Sequence, residues 1–238
     1  MLQFVISENK FNFYGFFIVL SLILSIFYIY FFLRKENIEK RIIFLSIVLS
    51  IPFILFGGKY LTIFTSEEKV NLITAGLSSY GGAIGLIIAS LTFEKISNEK
   101  RIKVAYIMSL PLMYSISKLG CFFAGCCYGI KYSGIFSISY PHLYEYTVFP
   151  IQLLETITFF IIFIVSNTIY KRKKSENIIW YVIILSALAK FLLDYLRISH
   201  TNIFLSTNQI ISIVFIIISI AFIIYNKAKR RSKIWKNI

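Results

Sequence analysis

Acidic residues, histidines and cysteines are all scarce in this chain of 238 residues. It contains 11 Asp and Glu residues, two His residues and three Cys residues. Disulfide frameworks need several cysteine pairs, and zinc sites usually combine closely spaced cysteine pairs with further Cys or His ligands. The three cysteines show no CxxC spacing, and His142 and His200 lie well away from them in sequence. We therefore expect no disulfide framework, no metal site and no cofactor.

Charged residues are also few, at 15% of the chain, whereas hydrophobic residues make up 58% and the mean hydropathy is +0.76. Soluble domains are about 45–50% apolar. Several apolar runs reach the ~20 residues that span a bilayer as a helix, and they lack the alternation of membrane strands. The first run is longer than the apolar part of a signal peptide and has no small-residue cleavage site. The sequence predicts an all-α polytopic membrane protein, with residues 1–238 forming one integral membrane domain.

The net charge of +14 comes mostly from four clusters of Lys and Arg that follow apolar runs. The clusters lie at 34–41, 95–103, 171–174 and 227–236. Such clusters are typical of the cytoplasmic flanks of membrane helices, where they also attract anionic lipid headgroups. We therefore expect these basic clusters to interact with the lipid bilayer and not with nucleic acid.

The apolar runs predict seven transmembrane helices, which are separated by short polar segments. Their expected ranges are 13–33, 42–61, 70–93, 104–125, 150–170, 178–196 and 208–225. Pro52 and Gly57-Gly58 are expected to kink the second helix. Because the basic clusters follow helices one, three, five and seven, we expect the N-terminus outside and a basic tail at 226–238 in the cytoplasm. The segment 128–149 is too polar to span and is predicted to form a small cap on the outer face.

The stretch 117–129, SKLGCFFAGCCYG, holds all three cysteines and one lysine at the end of the fourth apolar run. A lysine at membrane depth costs ~2.5–3.5 kcal/mol on insertion scales, so Lys118 is a candidate functional residue. The alternative is a lysine that extends its charged end to the interface. Cys121, Cys126 and Cys127 could be nucleophiles activated by Lys118, or small packing residues.

Other polar residues are predicted to lie in the outer half of the membrane with this stretch. They are Tyr14, Tyr80, Gln152, Glu155, Lys190, Asp194, Arg197 and Gln209. Lys190 and Asp194 are four residues apart and are expected to pair on one helix face, either within a functional site or as a structural ion pair. Clustering on one side predicts a polar cavity that opens to the outer leaflet. Such a cavity would also suit a transporter of lipids or small molecules.

The motifs and their order resemble the prolipoprotein diacylglyceryl transferase family over nearly the whole chain. The resemblance rests on FYG at 13–15, YGGAIG at 80–85, KLG to YG at 118–129, PIQLLE at 150–155, KFLLD at 190–194 and the turn at Gln209. Members of this family are seven-helix enzymes of the bacterial cell membrane. They move the diacylglyceryl group of phosphatidylglycerol onto the lipobox cysteine of prolipoproteins and form a thioether.

The resemblance implies site residues, and it also shows departures. Lys118 and Lys190 stand where the family has arginines, Tyr80 stands where it has a histidine, and Cys121 and Cys126 replace an asparagine and a glutamate. By this resemblance Lys118, Lys190 and Tyr80 are the expected catalytic residues. The expected substrate-binding residues are Lys118, Tyr14, Cys121, Gly129, Gln152, Glu155, Asp194, Arg197 and Gln209. The departures leave a second interpretation open, in which a related protein keeps the fold and acts on another acceptor.

Overall fold

Seven α-helices lie within the parts of the chain that a computed structural model describes, which are residues 3–6, 12–65, 71–72, 76–200 and 204–235. They are α1 (Phe13–Lys35), α2 (Lys40–Thr65), α3 (Ser79–Ser97), α4 (Arg101–Ala124), α5 (Ile151–Lys173), α6 (Ile178–Asp194) and α7 (Thr207–Trp235). Helices α1, α2, α4, α5 and α7 are long and apolar enough to cross a membrane. Large apolar side chains remain exposed along these helices, which is what a lipid-facing surface requires. The protein is therefore a multi-pass membrane protein.

The start of α3 differs from the predicted range of 70–93. Ser78 is extended, with φ −70° and ψ 126°, and its side chain accepts a hydrogen bond from the Gly81 backbone N–H at 3.3 Å. A serine in this position caps a helix because it satisfies a donor that has no partner within the helix. Helix α3 therefore begins at Ser79, and Tyr80 lies in its first turn. Residues 66–70 and 73–75, which include part of the predicted range, lie outside the described residues.

A small three-stranded sheet includes two short strands of the predicted cap. Strand β2 (Ser137–Ser139) pairs in parallel with β1 (Gln3–Val5) and antiparallel with β3 (Thr147–Val148). Ile138, Tyr140 and Val148 form a buried core beneath the sheet. The contribution of β1 was not predicted, because a three-residue strand that pairs with a partner more than a hundred positions away leaves no local signal.

The end of the molecule opposite the sheet is basic. Glu36, just after α1, forms ion pairs with Arg101 at 3.6 Å and with Lys174 at 4.0 Å. Lys100, Lys174 and Lys229 also line one cleft of about 730 Å³ there. The fold thus brings the four basic clusters to the same end. In the predicted tail, the side chains of 230–235 and all of 236–238 lie outside the described part of the chain.

Helices α2 and α3 make close backbone contact through glycine residues. A Cβ atom on Gly81 would overlap the Gly57 carbonyl, and one on Gly85 would overlap the Phe53 carbonyl. Helix α2 continues through Pro52 and the glycine pair to Thr65. These contacts fix α3, and with it Tyr80, against α2.

Gly85→Ala is expected to destabilise the protein by about 1–3 kcal/mol, since the added methyl group forces two backbones apart. Gly82→Ala is the matched control, because a Cβ there would meet Ile54 Cγ2 at 3.7 Å and the Ile54 carbonyl oxygen at 3.9 Å, which are ordinary van der Waals contacts. Both changes gain the same helix propensity, about 1 kcal/mol. Thermal unfolding in detergent should show a lower Tm for Gly85→Ala and an equal or higher Tm for Gly82→Ala. Equal Tm values for the two variants would contradict the packing account.

Candidate active site

All seven helices contribute residues to the wall of a cavity of about 410 Å³, which lies close to the end of α4 that leads into the cap. Six of the predicted site residues line it. They are Tyr14, Tyr80, Lys118, Cys121, Lys190 and Arg197. The fold therefore gathers these six residues, from four helices and the loop after α6, around one cavity.

Glu155 on α5 is the centre of the charged network beside this cavity. Its side chain is 1% exposed, and its carboxylate lies 3.0 Å from Lys118 Nζ and 2.5 Å from Arg197 Nη2. Tyr114 on α4 donates a third contact, at 2.8 Å from its hydroxyl to Oε1. A buried carboxylate is tolerated only when it is paired and hydrogen-bonded, and Glu155 meets both conditions. One carboxylate thus holds two cations in place.

Arg197 follows the C-terminus of α6 and carries its charge into this network. Burial on its own would lower the pKa of Arg197, but the neighbouring Tyr114 oxygen and the Glu155 carboxylate raise that pKa above its ordinary value. Its Nη2 also donates to the Tyr114 hydroxyl at 3.4 Å. The guanidinium therefore stays charged at the wall of the cavity.

Lys190 on α6 lies among aromatic and hydroxyl groups. Its ammonium donates to Ser79 Oγ at 2.6 Å and lies 3.7 Å from the centre of the Tyr80 ring and 4.7 Å from that of Tyr114. Aromatic faces stabilise a cation, more strongly when water is excluded. Within the described residues, no carboxylate lies within 4 Å of this buried ammonium, which faces the cavity.

The predicted pairing of Lys190 with Asp194 is wrong. The Asp194 carboxylate instead accepts hydrogen bonds from Ser206 and, at 3.2 Å, from Asn208, and lies 3.7 Å from Arg197 Nε. The spacing of four residues places both side chains on one helix face, but it does not decide which tertiary partner each reaches. Ser206 and Asn208, at the start of α7, supply the donors for Asp194, so among the described residues Lys190 has no carboxylate within 4 Å.

Tyr80 faces the cavity with its ring rather than with a free hydroxyl. Its hydroxyl is hydrogen-bonded to Ser212 on α7, and the Ser212 hydroxyl in turn donates to the Asn208 carbonyl at 2.8 Å. Since Ser212 has one proton and gives it to Asn208, the Tyr80 hydroxyl must donate to Ser212. In this geometry Tyr80 contacts Lys190 through a cation–π interaction of its ring.

Comparison with known proteins identifies the family. A sequence model described as "Prolipoprotein diacylglyceryl transferase" matches residues 2–225. The chain belongs to this family. It is 27% identical to phosphatidylglycerol--prolipoprotein diacylglyceryl transferase 2 of Clostridium perfringens over 84% of both chains. The transferase of Finegoldia magna is 27% identical over 86% of both chains, and that of Clostridioides difficile is 30% identical over 71% of this chain and 68% of its own.

Three predicted site residues of this diacylglyceryl transferase family member lie behind the cavity wall. Gln152 donates to the Cys126 carbonyl at 2.8 Å and so holds the turn that follows α4. Gln209 accepts from the Ser206 backbone N–H at 3.1 Å at the start of α7. A Cβ on Gly129 would lie 2.6 Å from the Phe149 carbonyl oxygen and 2.9 Å from that of Leu196. In the described structure these residues position the site rather than line it.

Two residues of the site in this transferase family member were not predicted. Tyr114 contacts Glu155 and Arg197 and lies between the two lysines, 5.0 Å from Lys118 Nζ by its ring centre. Ser79 is the acceptor for Lys190. The position of Tyr114, one turn before Lys118 on the same helix face, was a signal that could have found it. Ser79 gave no such signal, because its role depends on where α3 begins.

A double-mutant cycle tests the corrected partners of Asp194. Asp194→Leu should lower stability by about 1–3 kcal/mol, because buried donors at the start of α7 lose their acceptor. Lys190→Leu should not restore it, and the coupling energy should fall well below the ~3–5 kcal/mol typical of breaking a buried ion pair. Asp194→Asn, which keeps an acceptor oxygen, is the milder control. Thermal unfolding in detergent measures the stability of all four variants. If Lys190→Leu fully restored the stability lost in Asp194→Leu, that result would support the predicted ion pair between Lys190 and Asp194.

Proposed function

We propose that this protein transfers the diacylglyceryl group of phosphatidylglycerol onto the lipobox cysteine of prolipoproteins, as a multi-pass enzyme of the bacterial cell membrane. Family membership supports the reaction, because the relatives above are named for it. We place the reaction in this cavity because of the buried ammonium of Lys190, which has no carboxylate within 4 Å among the described residues. A buried cation of this kind is suited to an anionic substrate group.

The charge of the cavity fits a phosphodiester. Lys118, Lys190 and Arg197 contribute three positive charges, whereas Glu155 and Asp194 contribute two negative charges. Because Glu155 neutralises part of the charge of Lys118 and Arg197 at 2.5–3.0 Å, the excess positive charge is centred on Lys190. The single negative charge of a phosphatidylglycerol phosphate would balance it. We therefore place the phosphate beside Lys190, with Lys118 and Arg197 as neighbouring cations.

The reaction then follows from these positions. The lipobox cysteine loses its thiol proton, which in the net reaction is taken up by the leaving glycerol phosphate, and its thiolate attacks C3 of the glycerol unit that bears the two acyl chains. The new C–S bond forms as the bond between C3 and the phosphate oxygen breaks, and glycerol-1-phosphate leaves with the bonding electrons. Cations fixed in a water-poor site stabilise the charge that develops on the leaving phosphate. Tyr14, which lines the same cavity, is placed to contact the headgroup.

The proposal includes the orientation of the seven helices, with the cap and the N-terminus outside and the basic end in the cytoplasm. The ion pairs of Glu36 and the shared lysine cleft support it, since positive charge concentrates on the cytoplasmic side. Reporter fusions after Lys174 and at Ile238 should both report the cytoplasm. An external signal at either position would contradict the orientation and the outward-facing cavity.

Complementation tests the function directly in cells. Expression of this protein in a bacterium depleted of its own transferase should restore growth and add a diacylglyceryl group to a reporter lipoprotein, as detected by mass spectrometry. A reporter whose lipobox cysteine is replaced by serine is the matched control and should stay unmodified. Transport of a lipid or small molecule would leave the wild-type reporter unmodified, and that result would reject the proposal.

A further inference from the structure

The side chains of the three cysteines, for which the sequence predicted no metal site, come together at the end of α4. Their sulfur atoms lie within 4.8 Å of one another. Cys121 is buried, Cys126 is half-buried and Cys127 is exposed, and all three are free thiols. In the described residues this is the one group of three or more Cys, His, Asp or Glu side chains with ligand atoms this close together.

The helix terminus explains why the first two sulfurs meet. Gly125 has φ +67°, its N–H donates to the Phe122 carbonyl at 3.3 Å, and the Cys126 N–H donates to the Cys121 carbonyl at 3.1 Å. These two bonds form a Schellman motif, in which the residue after the glycine folds back onto the last turn of the helix. The motif places the Cys126 side chain beside that of Cys121, five positions earlier.

The third sulfur is brought in by the backbone that follows. Cys127 has φ +53°, a left-handed conformation that is uncommon for a residue other than glycine. The Gln152 side chain holds the preceding peptide through the Cys126 carbonyl at 2.8 Å. Cys127 and Cys121 both line the cavity that contains Lys118 and Arg197. The cysteine triad, Cys121, Cys126 and Cys127, is therefore held in place by Gln152 of α5 on one side. On the other side a small ion can reach the sulfurs from the cavity.

We propose that Cys121, Cys126 and Cys127 form a binding site for a thiophilic d¹⁰ cation, Zn²⁺ or Cu⁺. Three thiolates suit both ions, and zinc completes its tetrahedron with a water or another ligand. Zn–S bonds of about 2.3 Å in a tetrahedral site bring the sulfurs to about 3.8 Å from one another, and the three sulfurs already lie within 4.8 Å before any ion binds. The cations at the cavity wall offset the negative charge of the thiolates. The bound ion would tie the end of α4 to the first residues of the cap.

Metal titration of the full-length protein in detergent tests the site. Reduced wild-type protein should bind one equivalent of Zn²⁺ or of Cu⁺, measured separately by elemental analysis after removal of free ion. Cys121→Ser, Cys126→Ser and Cys127→Ser should each weaken binding at least about tenfold, which corresponds to ~1.4 kcal/mol. His142→Ala removes an exposed histidine of the cap and should bind as the wild type does. Unchanged affinity in the three serine variants, or less than one equivalent for both ions in the wild type, would overturn the proposal.

A second measurement on the wild type does not depend on whether the variants fold. With the ion bound, the three thiols should resist alkylation, and a chelator should release all three to the reagent, as counted by mass spectrometry. Equal alkylation with and without the ion would contradict the site. A mass two daltons below that of the reduced chain, with two thiols unreactive before and after chelation, would show a disulfide in its place. Neither measurement involves diacylglyceryl transfer, so the outcome is separate from that of the proposed function.

Discussion

Lys190→Met should lower diacylglyceryl transfer by about 10²–10³-fold, the loss found when one group that stabilises developing charge is removed from an active site. Methionine keeps an unbranched apolar side chain between the Tyr80 and Tyr114 rings but removes the charge. Because no carboxylate lies within 4 Å of Lys190 in the described structure, the change leaves no unpaired anion behind, and the fold should be retained. Lys190→Arg should keep more activity than Lys190→Met, since it restores a cation at this position.

Lys100→Met is the matched control for that prediction. Lys100 is an exposed lysine at the basic end of the molecule, on the wall of the other cleft. It should leave the transfer rate unchanged, which would show that the loss in Lys190→Met follows from position and not from net charge. Wild-type activity in Lys190→Met at a wild-type Tm would remove Lys190 from the phosphate site.

Glu155→Gln should produce the largest loss of stability, about 3–5 kcal/mol, together with loss of transfer. The change leaves Lys118 and Arg197 buried without their shared counter-charge, and it also weakens the acceptor for Tyr114. The exposed acid Glu145 gives the control, because Glu145→Gln should change stability by less than about 0.5 kcal/mol. Thermal unfolding in detergent measures both variants.

A compensating change separates electrostatics from packing at Glu155. Lys118→Met in the Glu155→Gln background removes one of the two unpaired cations and should recover part of the lost Tm. The double variant should not recover diacylglyceryl transfer, because the cavity would then lack the cation of Lys118. If the double variant is no more stable than Glu155→Gln, the Lys118–Glu155 pair does not carry the stability assigned to it.

Much of the site could be predicted from the sequence because polar groups at membrane depth are costly and therefore conspicuous. Lys118, Lys190 and Arg197 stand out against the apolar runs, and the basic clusters predict the side of the membrane on which they lie. The partners could not be predicted in the same way. Asp194 reaches the start of α7 rather than Lys190, and Glu155 joins two cations from separate elements. Such contacts depend on how helices pack, which local spacing does not encode.

In the fold, too, features set by local sequence were predictable, whereas features set by distant contacts were not. Hydrophobic runs predicted the bounds of the seven helices to within a few residues, with two exceptions. The Ser78 cap starts α3 nine residues later than predicted, and α7 continues ten residues beyond its predicted end at 225. The parallel pairing of β1 with β2 joins strands more than a hundred positions apart, and the meeting of the three thiols depends on the backbone turn after α4. Only the glycine before Cys126 hinted at the second of these.

Mass spectrometry of a lipobox peptide tests the central claim most directly. Purified protein in vesicles that contain phosphatidylglycerol should add one diacylglyceryl group to the peptide cysteine and release one glycerol phosphate for each peptide modified. Vesicles of phosphatidylcholine, whose phosphate carries a bulky cationic headgroup, provide the comparison and should give far less product. A peptide mass that stays unchanged in phosphatidylglycerol vesicles, with protein of wild-type Tm, would contradict the account.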